Sequence, residues 1–149
     1  MKKLILPVLL GFAALASLPS HAQTSLPAAP FDVKVTLTSV CQLTAPGNIL
    51  LSYTSFGAAQ SGFTPFTVLC TNSLPYTFAL DDTQADQLGL TVAVSLKMPD
   101  GTTPATGGTQ SGATGATYRI YADIAGSQQG TCTLGTCNGS VTRTLTVSY

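Results

Sequence analysis

The chain is short of the side chains that do chemistry. It has no Trp and no Glu, and its one histidine, His21, lies near the N-terminus. Charge is scarce: Lys and Arg together number 6, Asp supplies all 6 acidic residues, and charged residues make up 8% of the chain. Histidine is the commonest general acid/base and metal ligand, with Glu close behind, so catalysis starts without its usual tools. No basic cluster exists to neutralise phosphates, which argues against nucleic acid as a partner. Beyond the first 18 residues no apolar run is long enough for a helix to span a bilayer. A sustained apolar repeat at three and four residues is missing as well, which argues against amphipathic helices.

What is present starts with an export signal. Lys2 and Lys3 precede the apolar stretch "LILPVLLGFAALASL", and Ser20-His21-Ala22 offers small residues at a cleavage position. Residues 1–22 are therefore expected to be removed, leaving 127 of the 149 residues and taking His21 with them. Cleavage also removes two of the basic residues, leaving Lys34, Lys97, Arg119 and Arg143 against six Asp, a net charge near −2. That length suits one domain with a real core. Residues 23–38 read as a Pro- and Ala-rich leader followed by a first strand, and residues 39–149 as the domain.

The body of the chain is patterned for strands. "FDVKVTLTSV", "FTPFTVLC" and "PYTFALD" alternate with period two. "LTVAVSLKM", "ATYRIYADI" and "VTRTLTVSY" are further runs rich in Val, Ile, Thr and Tyr, and "NILLSYTSFG" reads as a strand ending at Gly57. Gly or Pro breaks the chain about every ten positions. The expected fold class is all-β, an antiparallel two-sheet sandwich, which suits seven or so short strands better than a closed ligand barrel. Residues 100–117, "DGTTPATGGTQSGATGAT", are low in complexity and expected to form a long exposed loop.

Four cysteines in an exported chain predict disulfides, with three pairings possible. Cys41 with Cys70 is favoured because each ends a strand-like run. Cys132 with Cys137 is favoured because the segment between them is Gly-bearing and can turn tightly. A two-ligand metal knuckle at the second pair is the weaker alternative, since no histidine joins it.

The remaining constellations are thin. Asp81, Asp82 and Asp86 lie close enough for calcium, yet the order lacks a bidentate Glu and a turn Gly, so a polar turn is the better reading. Asp82 and Asp123 as paired glycosidase carboxylates, or Lys34 and Lys97 as bases for a Ser or Thr nucleophile, have no supporting motif. Asn138-Gly139-Ser140 fits a glycosylation sequon but reads better as a tight turn. No catalytic residue, metal ligand or cofactor site is expected. At the chain's end Val141, Leu145, Val147 and Tyr149 share one strand face.

Taken in order, "FDVKVTLTSVC", "SFG" at 55 to 57, "FTVLCTNSLPYTFALD" and "GSVTRTLTVSY" resemble the spore coat protein U domain of archaic chaperone-usher pilus subunits. The likeness spans nearly all of the mature chain; the longer "LLSYTSFG" and the Cys132–Cys137 pair depart from the core pattern. The resemblance implies an incomplete immunoglobulin-like sandwich, exported to the periplasm, held by a periplasmic chaperone and completed at an outer-membrane usher. The completing element would be the N-terminal strand of the next subunit. Phe31, Val33, Val35 and Leu37 would then be donor-strand plugs, and neighbouring subunits the partners. The implied role is a fimbrial subunit at the cell surface, for adhesion or biofilm formation. The alternatives are a self-complemented coat or matrix domain, an adhesive binding module, and a complete sandwich with an ordinary first strand.

Overall fold

The computed structural model of the chain describes residues 30–110 and 112–149. The expected signal, residues 1–22, and the leader up to residue 29 lie outside the described residues. The sheets are built within Thr36–Tyr149. Seven strands form: β1 (Cys41–Thr44), β2 (Gln60–Cys70), β3 (Pro75–Leu80), β4 (Val92–Lys97), β5 (Gly107–Thr109), β6 (Ala116–Ile124) and β7 (Leu145–Ser148). One sheet runs β1-β2-β6-β4 and the other β5-β3-β7, every pair antiparallel. The fold is all-β, as the alternation predicts.

Period-two patterning decides what is inside. β2 buries Thr64, Phe66, Val68 and Cys70 and turns Ser61, Phe63, Pro65 and Thr67 outward. β6 buries Tyr118, Ile120, Ala122 and Ile124, and β4 adds Val92 and Val94. From the other sheet Tyr76 and Phe78 meet these residues: Phe78 packs edge-on against Phe66 at 5.3 Å and against Tyr118 at 4.7 Å. Edge-to-face aromatic pairs of this kind add about 0.5–1.5 kcal/mol each beyond their buried area. Pro65 sits within β2 without breaking it because β1 ends opposite Thr67, so at Pro65 only β6 is a neighbour.

Tyr76 and Tyr118 join the two sheets, their hydroxyls 2.8 Å apart and buried. Gly108 of β5 lies against both, since a Cβ there would sit 2.8 Å from the Tyr118 hydroxyl and 3.1 Å from that of Tyr76. Both favoured disulfides are formed, Cys41–Cys70 directly opposite in the β1/β2 register and Cys132–Cys137 within a coil.

Three expectations need correction. "FDVKVTLTSV" forms no strand, and regular pairing starts only at Cys41. "NILLSYTSFG" forms none either; it runs without a ladder to a turn at Ser55–Phe56. A strand needs a hydrogen-bonding partner as well as a face to bury, and among the described residues Phe31–Leu37 and Ile49–Tyr53 have no strand to pair with. The expected loop at 100–117 contains β5 and the start of β6.

Candidate functional site

The feature that stands out is sheet edge left open. One side of β7 pairs with β3, matching Thr77 with Ser148 through Leu80 with Leu145. Its other side faces no strand among the described residues. Leu145 and Val147 are half-buried and pack on the core, while Tyr149 is largely exposed. This strand therefore presents unpaired backbone groups beside a part-covered apolar face, an arrangement that invites a further strand.

A second stretch has the same character. Ile49, Leu51 and Tyr53 are half-buried against the core and alternate with exposed Leu50 and Ser52. No backbone hydrogen bond is made by Ile49–Tyr53 among the described residues. The segment lies close on β2 because Gly62 has no side chain: a Cβ there would come within 2.9 Å of Leu51 Cδ2 and 3.0 Å of Ile49 Cγ2. Its far end is anchored by Tyr53, whose hydroxyl accepts from the Gln128 N–H at 2.8 Å. Beside Tyr53 a cavity of about 440 Å³ is lined by Leu88, Leu90, Gly130, Leu134 and the Cys132–Cys137 bridge.

Phe31, Val33, Val35 and Leu37 are 84%, 75%, 84% and 78% exposed and belong to no strand. The chain is fastened just after them, where the Val40 N–H donates to Thr71 Oγ1 and the Thr71 N–H donates to the Val40 carbonyl. Among Leu145, Val147 and Tyr149, the first two flank the open edge and the third extends past it.

The acidic candidates are each engaged separately. Asp81 accepts from the Thr144 N–H, Asp82 accepts from Gln84 and pairs with Arg143 at 3.2 Å, and Asp86 accepts from Val92. Asp81 and Asp82 engage the segment leading into β7 while Asp86 holds the start of β4, so the three are not a ligand set; no cluster that could hold a metal ion occurs among the described residues. Asp123 is bound by Ser61 and Lys97 and is not brought beside Asp82 in any paired contact. Asp100 is held at about 2, well below the usual carboxylate range, by Thr103 and Thr102, whose hydroxyl and N–H groups close its turn. Asn138 lies in coil before β7.

Two features escape sequence reasoning. One is the buried tyrosine pair, visible in the sequence only as inward positions of "PYTF" and "TYRIY". The other is the outer face of the larger sheet, where the strand register sets Arg119 directly opposite Lys97. No helix among the described residues is long and apolar enough to cross a membrane. Comparison with known protein families finds no family model that matches the chain, and comparison with curated proteins finds no match.

Proposed function

We propose that the chain is a structural subunit of a surface fibre, in which the Phe31–Leu37 segment of one copy completes the sandwich of the next. The observation that carries this reading is the pairing of two deficits in one molecule. Among the described residues an alternating apolar segment lies exposed without a strand partner, and β7 has an unpaired edge backed by half-buried Leu145 and Val147. Addition of a strand relieves both, since main-chain bonds supply affinity and alternate side chains supply register. Burial of the four plugs at about 1.5–3 kcal/mol each contributes roughly 6–12 kcal/mol from apolar surface alone.

The likeness to the spore coat protein U domain supports the same reading and extends it. On that likeness the chain is exported, carried by a periplasmic chaperone and assembled at an outer-membrane usher into a fimbria serving adhesion or biofilm formation. Two disulfides fit an oxidising compartment. The test is the state of the native chain against a V33D/V35D variant. Native chains should give a ladder of multimers that survives detergent without boiling, and the variant should remain monomeric. A ladder undiminished by both aspartates would refute the proposed joint, as would a native chain that stays monomeric under all assembly conditions.

A further inference from the structure

The outer face of the larger sheet sets two of the chain's few cations opposite one another across a strand pair. Its outward residues form adjacent rows across β2, β6 and β4: Pro65, Arg119 and Lys97 in one, Phe63, Tyr121 and Ser95 in the next. A third row holds Ser61, Asp123 and Ala93. Arg119 and Lys97 stand directly opposite one another, and like charges so placed destabilise a sheet. A chain with so few cations has set two of them side by side.

The local acids answer only Lys97, and only at long range. Lys97 Nζ is 3.9 Å from Asp123, whose other carboxylate oxygen accepts from the Ser61 hydroxyl, so that carboxylate is spent. Asp100, close in the chain to Lys97, is occupied by its own turn. Arg119 pairs with no carboxylate among the described residues. Its guanidinium carbon lies 4.5 Å from the Phe63 ring centre, and Nη1 donates to the Tyr121 hydroxyl at 3.4 Å. Lys97 Nζ lies 4.3 Å from the Tyr121 ring centre. The rings hold both cations in place, and fixed cations lose less freedom on binding an anion. Ser95 Oγ, in the neighbouring row, is buried without a hydrogen-bond partner.

We infer that this face binds an acidic polysaccharide, a uronic-acid carboxylate sitting on Arg119 and Lys97 and a sugar ring resting against the exposed edge of Phe63. A guanidinium fork suits a carboxylate. Phe63 is 49% exposed; Ser61 stands in the row on one side of it, and the paired hydroxyls of Thr67 and Thr117 lie on the same face beyond the Arg119 row. The surface is a sheet face and not a cavity, which fits an extended polymer. Two cations are too few to hold a nucleic acid backbone. The inference concerns β2, β4 and β6 and stands independently of strand donation.

The test is calorimetric titration of the full chain with hexagalacturonate in low salt, with maltohexaose as the neutral control and dextran sulfate as a bare polyanion. Hexagalacturonate should bind, lose affinity with added salt, and bind at least tenfold more weakly to R119Q and to F63T; maltohexaose should not bind. R119Q should unfold within a few degrees of the native chain, because relief of the like-charge opposition offsets the lost contacts with Phe63 and Tyr121, which separates lost binding from lost fold. Absence of hexagalacturonate binding to the native chain would overturn the inference, and so would undiminished binding by R119Q. Dextran sulfate binding equally well, with F63T indistinguishable from native, would reduce the face to a general cation patch and overturn the glycan assignment.

Discussion

Replacing Tyr118 by Phe removes one oxygen from the place where the two sheets meet. The hydroxyls of Tyr118 and Tyr76 are 2.8 Å apart, and Tyr118 and Tyr76 are only 4% and 3% exposed. Y118F leaves the Tyr76 hydroxyl buried with its partner gone, which costs about 1–3 kcal/mol; Y76F orphans the other oxygen at similar cost. The double variant removes both polar atoms together, so it should cost clearly less than the two singles combined, with a coupling of about 1 kcal/mol or more. Because a domain of this size loses roughly 4 °C for each kcal/mol, each single variant should melt at least several degrees below native. The assay is a double-mutant cycle by urea unfolding followed with near-ultraviolet circular dichroism. Strict additivity, or single variants as stable as native, would refute the claim that this bond ties the sheets.

The same pair predicts alkaline behaviour. Burial, and then the bond to Tyr76, push the Tyr118 phenol well above its ordinary value. A raised folded-state value means stability is intact below about pH 10 and is lost as pH rises further, when only the unfolded chain ionises freely. Unfolding midpoints should therefore fall above about pH 10, and fall less in Y118F. At the acid end, Asp100 titrates at about 2 when folded, so its contribution, present above the ordinary Asp range, should fade as pH drops through about 4 towards 2; carbon-detected NMR titration of its carboxyl carbon checks the value. Replacing Cys41 and Cys70 together by Ser should cost about 3–4 kcal/mol from a loop of 29 residues, and replacing Cys132 and Cys137 about 2, measured by chemical denaturation. Equal costs would contradict the loop-length account.

Much of the fold can be read from period-two alternation, and the departures share a cause. β2, β3, β4 and β6 coincide with alternating runs because each has a face to bury and a neighbour to pair with. Phe31 to Leu37 alternates equally well, and Ile49 to Tyr53 does so apart from exposed Leu50, yet neither has a backbone partner within the described domain, so neither forms a ladder. A sequence pattern reports which face is apolar and is silent on where the second strand comes from. β5 is the converse case: Gly107, Gly108 and Thr109 carry no strand pattern, and their place is set by the tyrosines that only a residue without a side chain can approach so closely. The open edge on β7 was foreseeable from "LTVSY" as a face but not as an edge. The opposition of Arg119 and Lys97 depends on the β4/β6 register, which neither strand encodes alone.

The central claim is that the domain lacks one strand and that Phe31–Leu37 supplies it. The most direct measurement is thermal unfolding of residues 39–149, with and without a synthetic peptide of residues 30–40. The account predicts a large rise in midpoint with peptide, equivalent to about 4 kcal/mol when the peptide is a thousandfold above its dissociation constant. The V33D/V35D peptide should give no such rise. A truncated domain that is already stable and indifferent to the native peptide would show a complete sandwich and contradict the claim.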